Sequence, residues 1–529
     1  MGLKSKNNNK RLMGITERIF KGIKVSHIVI FGIILYSLAL NANLSTNGDD
    51  SRYILISRAF LEKGVLNQIF FSDLIVSTGH YFMLPLLLLP FSFSENFILM
   101  KLIPLLSTIL SIFALNEFLK GIVKDTHRKM ILILYVVNPW VIEYSGLILT
   151  EMPYILFSLC TLTFFKKYLD NGKNLYLLLS IIFLGFSLYT RPFGLAFLPA
   201  FFLFFLIRKR WKELVFFFAV ILIITIPILY NAMGLFSAYS KDFIKKQQYY
   251  SFEYKEAKGP EIMYRIGYNF LAYTGNYLPD IMARPVVSRI NPRLPDRTIN
   301  PFFPLKFLMG TLLGGIILIG FIKTFRAKMY LYHLYLFFHI MINLVINVYV
   351  ARYIFSLLPF ILLFLFEGIN HKTDMASGRE GRRFFGREKF IHGLFLFFFS
   401  VSIIGTIGEI VNARTGYVSP EVKVFVECND WVKDNTPRSS IVLSRKPTYT
   451  KVYTGRDAIG YIFSDNVQKQ LTNIVENGVD YVIVEDLGFY LDEEKYILNT
   501  VKNYPEKFLL VYSTESLLKN YVFQVIRKR

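Results

Sequence analysis

Residues 25–50 read VSHIVIFGIILYSLALNANLSTNGDD, an apolar run from Val25 to Asn43 followed by a short polar stretch that ends in Asn47, Gly48, Asp49 and Asp50. A run of this length crosses about 30 Å of hydrocarbon as a helix, the form that satisfies its own backbone N–H and C=O groups in lipid. Ahead of it, residues 1–24 carry Lys4, Lys6, Lys10, Arg11, Arg18, Lys21 and Lys24 against one acid, Glu17. Such a basic flank stays in the cytoplasm. No small-residue cleavage signature follows the run, which makes it a retained first span rather than a removed signal. The acid pair then emerges on the outer face.

The same alternation continues along the chain. Of 529 residues, 53% are apolar and 19% charged, with 52 Phe, 33 Tyr and 3 Trp. That composition excludes an ordinary soluble domain. The formal charge of +22 does not point to nucleic acid, because the cations fall in short connections between apolar runs, as the positive-inside bias requires. These are Lys120–Lys129, Lys166–Lys173, Arg208–Lys212, Lys323–Lys328 and Lys372–Lys389. Placing all five in the cytoplasm gives eleven spans, near residues 25–43, 97–119, 130–146, 148–165, 175–190, 193–207, 213–230, 304–322, 329–350, 353–367 and 391–410. The run Tyr81–Phe93, with Pro85 and Pro90, is too short to cross and is expected to be re-entrant or interfacial. Cys160 in an apolar run and Cys428 in a polar tail form no disulfide framework.

This topology divides the chain into a basic cytoplasmic N-terminus (1–24), a membrane module (25–411) with external loops 44–96 and 231–303, and an extracytoplasmic tail (412–529). The tail is balanced in charge. It reads as a small α/β domain with a helix over Pro420–Asn435, strands at Ser440–Ser444, Tyr481–Val484 and Tyr521–Ile526, and helical stretches at Asn466–Asn477 and Glu493–Asn503. The fold class expected is mainly α, a polytopic helical protein with this α/β appendage. There is no nucleotide-binding glycine loop, zinc spacing or serine nucleophile elbow.

The chemistry-bearing residues lie on the outer segments. Asp49 and Asp50 precede an amphipathic stretch, Ser51–Gly64, with Tyr53 among its apolar positions. They read either as N-caps or as a general base whose pKa is raised by partial desolvation. Glu151, in Leu-Thr-Glu-Met-Pro, complements a helix dipole or marks a functional site beside hydrocarbon. Arg191, in Thr-Arg-Pro, and Arg352, in Ala-Arg-Tyr, are external cations that the positive-inside bias does not explain. Each is a snorkelling anchor or a fork for phosphate oxygens. Arg284 belongs with Lys245, Lys246, Arg289, Arg293 and Arg297 in the long loop, among Tyr249, Tyr250, Tyr254, Tyr273 and Tyr277. His80, in Thr-Gly-His-Tyr, opens the short run and is structural or substrate-binding. No cofactor is assigned, and a divalent cation at the acids is left open.

A basic N-terminus, one span, an acid pair, a surface helix, a second acid in Thr-Glu-Met-Pro, a Thr-Arg-Pro turn, a large external loop and an Arg-Tyr turn resemble the GT-C superfamily. Within it the chain looks like the protein mannosyltransferase and aminoarabinose transferase branch and the RgtA/B/C/D-like membrane glycosyltransferases. The resemblance covers about residues 20–370. It implies a GT-C fold, a polyprenyl-phosphate sugar donor and inverting transfer to a glycan, lipid or protein acceptor on the outer face. It places the base or acceptor-orienting carboxylate on Asp49 or Asp50 and the second acid on Glu151; beside it, the residues' own chemistry makes Arg191, Arg352 and Arg284 the cations expected to bind the donor phosphate. The family's His-Pro-Pro is here His80 followed by Tyr81. Two other readings stand beside it: a flippase or transporter of lipid-linked saccharides, for which the spans show few acids and no half-to-half symmetry, and a non-catalytic scaffold, which needs no second acid.

Overall fold

The computed structural model describes residues 20, 22–46, 49–64, 68–71, 74–76, 82–225, 259–287, 303–346, 351–370, 380–416, 418–462, 466–485, 494–515 and 519–527. Each of the eleven long apolar runs is helical over most of its described length. Among the described residues, three helical stretches are long and apolar enough to cross a membrane: Phe97–Leu119, Leu305–Ala327 and the apolar part of the Glu380–Thr415 helix. Five shorter apolar helices accompany them: Val25–Ala39, Asn174–Thr190, Pro192–Ile207, Leu331–Val345 and Leu358–Ile369. At 1.5 Å per residue a 15-residue helix reaches only about 22 Å.

Two expected spans are broken, for the same reason. In 130–146 the Asp125–Val136 helix stops and Pro139–Ser145 begins afresh, with the Asn138 side chain accepting from Trp140 N–H at 3.0 Å. In 353–367 the chain forms Ala351–Phe355 and then Leu358–Ile369, with Pro359 at its start. Proline has no N–H to continue a helix but suits a first turn. The run expected to lie in the interface forms Met83–Leu88 and a 3-10 turn, Leu89–Phe91, together too short to cross.

Packing follows from composition. Leu106, Leu110 and Phe113 on one long helix, Leu308, Leu312 and Leu318 on the second and Phe397, Ile404 and Ile407 on the third are all exposed, as faces turned to lipid are. Inside, the helix ending at Ala327 crosses Leu358–Ile369 so closely that a Cβ on Gly320 would sit 2.0 Å from the Phe364 carbonyl oxygen. Only glycine permits that approach.

The acid pair opens the Asp49–Lys63 helix, with Gly64 after it at φ +67 as a left-handed end. Both acids thus lie inside the first turn, where they complement the dipole, rather than ahead of it as caps. Strands β1 (Gln68–Phe71) and β2 (Leu74–Val76) pair antiparallel just beyond.

The tail holds a five-stranded sheet of β3 (Ile441–Leu443), β4 (Asp457–Ile459), β5 (Tyr481–Val484), β6 (Phe508–Ser513) and β7 (Tyr521–Val525), in the order β4-β3-β5-β7-β6. β3 runs parallel to β4 and β5, while β7 is antiparallel to both β5 and β6. The Pro420–Asn435 helix and a further helix, Pro447–Thr454, join the sheet to the membrane module. Phe425, Tyr449 and Val452 from these two helices share one apolar core with the membrane helices, whereas the sheet has its own around Leu443, Leu471, Ile474 and Val482.

Candidate active site

Four of the residues singled out in the sequence meet at one place. Arg352 Nη1 donates to Asp49 Oδ2 at 2.7 Å, and its Nε lies 4.0 Å from Glu151 Oε1. Arg191 Nη1 is in ion-pair contact with the same Glu151 oxygen. Asp49 comes from the Asp49–Lys63 helix, Glu151 from the first turn of Glu151–Asn171, Arg191 from the end of Asn174–Thr190 and Arg352 from the short Ala351–Phe355 helix. Two carboxylates thus join two guanidinium groups in a chain in which Arg352 bridges the acids, with Arg52 Nη1 3.9 Å from Asp49 Oδ1 beside it.

Burial grades this cluster. Glu151 is 1% exposed and Arg191 6%, whereas the Asp49 side chain is 23% and Arg352 32% exposed. The open end is therefore Asp49 with Arg352, and the closed end Glu151 with Arg191. Among the described residues, Glu151 Oε2 is buried without a hydrogen-bond donor, as is the Arg191 Nε without an acceptor. Burial draws both guanidinium pKa values down, but the facing carboxylates outweigh it and hold them above their ordinary value. The Tyr353 ring lies between the two cations, 5.6 Å from Arg191 and 5.8 Å from Arg352.

Local sequence explains how Arg191 is aimed. Pro192 stops the preceding helix and the chain turns back at once, with Gly194 N–H donating to the Arg191 carbonyl at 3.0 Å. A Cβ at Gly194 would come within 2.6 Å of the Ser187 carbonyl oxygen, so the turn demands glycine. The Gly259–Ala272 helix holds the end of the helix that precedes Arg352. Asn269 Nδ2 donates to the Leu344 and Ile346 carbonyls at 3.0 and 2.9 Å, and Arg265 Nη1 to the Val345 carbonyl at 3.1 Å. These close the C-terminal end of Leu331–Val345, just before the Arg352 turn, where helix carbonyls lack partners. Beneath Arg191, His339 stacks on Phe193 at 4.7 Å and bonds Asn343 at 2.9 Å.

The two adjacent acids have different surroundings. Asp50 is fully buried, its Oδ2 accepting from Ser45 N–H at 3.3 Å. Beside it Lys101 donates to Asn41 Oδ1 at 3.0 Å and to the Asn43 carbonyl at 2.7 Å, pinning the end of the first span. Burial, with Asp49 adding repulsion, pushes Asp50 up to about 7. Asp50 thus faces inward to Lys101, and Asp49 outward to Arg352. Tyr53, one turn on, is buried among Asp49, Glu151 and Arg191 with its hydroxyl at Thr150; burial and the two carboxylates raise its phenol well above the ordinary value.

Arg284 is not part of this cluster. It pairs with Glu143, lies 3.3 Å from Glu409 and covers the Trp140 ring at 4.9 Å. His80 lies outside the described residues, as do Lys245, Lys246, Arg289, Arg293, Arg297, Tyr249, Tyr250 and Tyr254. Sequence reasoning passed over Arg52, Lys101, Arg265, Asn269 and His339. Arg52 alone carried a signal, its place one turn after Asp49. No three His, Cys, Asp or Glu side chains converge on a metal-sized site among the described residues, and Asp49 and Glu151 are each engaged by arginine.

With the architecture and cluster described, the fold is the one shared by ArnT and an archaeal oligosaccharyltransferase. ArnT from Cupriavidus metallidurans in the apo state matches with a TM-score of 0.56 at 13% identity, over 94% of this chain and 97% of that one. The same protein bound to undecaprenyl phosphate gives 0.55 at 11% identity over the same shares. The oligosaccharyltransferase AglB from Archaeoglobus fulgidus, in complex with an inhibitory peptide and a dolichol-phosphate, gives 0.54 at 13% identity, over 95% of this chain and 74% of that one. No family model matches the chain, and no curated protein sequence does.

Proposed function

We propose that this chain is an integral membrane glycosyltransferase that takes a sugar from a polyprenyl-phosphate donor and transfers it, with inversion, to an acceptor hydroxyl on the extracytoplasmic face. The observation that carries this reading is the Arg352 guanidinium bridging Asp49 and Glu151 at the outer end of the helices. The polyprenyl-phosphate ligands of two structures with this fold support the donor class. Eleven spans, a cytoplasmic N-terminus and an extracytoplasmic tail belong to the same reading.

In the proposed reaction the exposed Asp49 carboxylate takes the proton of the acceptor hydroxyl. The acceptor oxygen then attacks the anomeric carbon, the bond from that carbon to the donor phosphate oxygen breaks, and the electron pair leaves with the phosphate. Charge grows on that phosphate, and Arg352 is the cation exposed enough to meet it with a planar pair of N–H donors. Glu151, paired with Arg191 and 4.0 Å from the Arg352 Nε, supports the base from the closed end of the cluster. Asp50 does not act as the base, because its carboxylate is sealed beneath the helix.

The test is transfer from a panel of undecaprenyl-phosphate-linked radiolabelled sugars by the purified full chain in vesicles. Label should pass to acceptor with release of undecaprenyl phosphate. A protein that moves the lipid-linked sugar across the bilayer without breaking its phosphate bond would refute the reading.

A further inference from the structure

Arg191 and Arg352 stand on separate turns of the chain, yet both address one oxygen, Glu151 Oε1. Like charges this close repel, so the two turns must be held at their spacing. His339, fully buried beneath them, touches both. Its ring stacks on Phe193, two residues after Arg191, with the centroids 4.7 Å apart. Its Nε2 lies 3.4 Å from Ser356 Oγ, and Ser356 Oγ donates to the carbonyl of Tyr353, next to Arg352, at 2.8 Å. Phe193 and Tyr353 close the circuit, packed edge to face at 5.0 Å with the Arg191 guanidinium 5.6 Å from each ring.

The hydrogen bonds decide which nitrogen of His339 carries the hydrogen. Asn343, one turn further along the Leu331–Val345 helix, sets its Nδ2 2.9 Å from the His339 carbonyl oxygen and 2.9 Å from His339 Nδ1. A carbonyl only accepts, so the amide nitrogen of Asn343 faces this pair and Nδ1 accepts as well. On the other side, the single hydroxyl hydrogen of Ser356 is committed to the Tyr353 carbonyl, so its oxygen can only accept from Nε2. Both sides require the same form, a neutral ring with Nδ1 bare and Nε2 protonated. Such a ring adds no third positive charge beneath the two arginines.

We propose that His339 is a positioning residue: its stack on Phe193 and its Nε2–H bond to Ser356 tie the Arg191 turn to the Arg352 turn, and so set where Arg352 stands over Glu151 and Asp49. The effect on transfer rests on the glycosyltransferase reading; the link between the turns does not. Arg352 needs such a link because its helix, Ala351–Phe355, has only five residues. A helix that short has no stability of its own and takes its place from what it packs against. His339 acts through the two turns and not on the substrate.

Two readouts on the full chain in nanodiscs test this. The first is NMR of protein isotope-labelled at its histidine nitrogens, with the His339 signals identified as those lost when that residue is substituted. At pH 7 Nε2 should carry the hydrogen and Nδ1 none; an imidazolium, or a hydrogen on Nδ1, overturns the proposal whether or not the protein transfers sugar. The second is kcat/KM for the undecaprenyl-phosphate sugar, per amount of folded protein. His339→Phe, which keeps a ring on Phe193, and Ser356→Ala should each lower it about ten-fold. The double variant should also lose about ten-fold, because both changes cut one link, and Ser356→Thr, which keeps the hydroxyl, should stay within about three-fold of wild type. A lower melting temperature with kcat/KM unchanged in both single variants would make His339 a packing residue only and overturn the proposal. Losses that multiply in the double variant would overturn it too. Should His339→Phe fail to fold, Ser356→Ala against Ser356→Thr decides alone. A wild type that transfers no sugar counts against the glycosyltransferase reading, and the nitrogen signals then decide the link between the turns.

Discussion

Two ionic clusters sit at the ends of the apolar helices, built from the same residue types. One joins Asp49, Glu151, Arg191 and Arg352; the other joins Glu143, Glu409 and Arg284. A stack of rings links them, Trp140 over Tyr144 at 5.8 Å and Tyr144 over Phe355 at 5.0 Å. The first cluster sets two acids among Arg191, Arg352 and Arg52, and runs from the buried Glu151 to the half-buried Asp49. The second sets one arginine between two acids and closes it over the Trp140 face. Arg284 ties the external Leu278–Val287 helix to Pro139–Ser145 and Glu380–Thr415. The same residue types therefore serve different ends: Arg284 sits between Glu143 and Glu409 over the Trp140 ring as a clamp, whereas Arg352 shares Glu151 with Arg191 and, in the proposed reading, meets the donor phosphate.

The comparison breaks first on Arg352. Arg352→Ala should lower turnover on the order of 10²–10³-fold with the fold intact, by the usual loss of one preorganised charge donor. Arg352→Lys should recover only part, because the ammonium lacks the planar fork. Full recovery by lysine, in the panel transfer assay with melting curves alongside, would reduce Arg352 to simple charge placement.

Arg191 should behave as the closed end does. Arg191→Ala leaves Glu151 buried without its charge partner, at roughly 3–5 kcal/mol, so a large fall in melting temperature should accompany the loss of turnover. A stable, inactive Arg191→Ala protein would move Arg191 from support into direct contact with substrate. Arg284→Ala is milder: its acids are partly exposed, so roughly 1–3 kcal/mol is lost and turnover in the surviving protein stays within a few-fold. A 100-fold fall there, with an unchanged melting curve, would erase the distinction between the clusters.

The smallest effect concerns Asp50. Its folded pKa is raised to about 7 by burial, so between about pH 4 and 7 the native state holds a proton that the unfolded chain has lost. Stability then falls as pH rises through that window. Relative to Asp50→Asn, which cannot ionise, wild type should lose melting temperature between pH 5 and pH 8. A constant difference between the two proteins at both pH values would place Asp50 in contact with water.

Much of this was legible in the sequence, and unevenly so. In the tail, Pro420–Asn435 and Tyr481–Val484 fall where their patterns place them, because local periodicity decides an amphipathic helix and a buried strand. The Pro447–Thr454 helix and β4 went unread, being short and polar; their stability comes from packing on the acid helix and β3. In the membrane module the apolar runs were plain, but the break at Asn138–Pro139 was not, since the run stays apolar across it. Asp49, Glu151, Arg191 and Arg352 could each be picked out by type and depth. What joins them could not: Arg352 meets Asp49 across 303 residues of chain. Arg284 looked equivalent to Arg352 for the same reason, because no local pattern shows how many acids a cation will meet.

The most direct test of the account sets Asp49 against its neighbour. Asp49→Asn and Asp50→Asn are nearly isosteric, and both keep a polar side chain in the first helical turn. Transfer from the undecaprenyl-phosphate sugar panel, with protein amount and melting curve matched, should fall about 100-fold or more in Asp49→Asn and stay within a few-fold of wild type in Asp50→Asn. Wild-type transfer by Asp49→Asn, or a loss confined to Asp50→Asn, would contradict it.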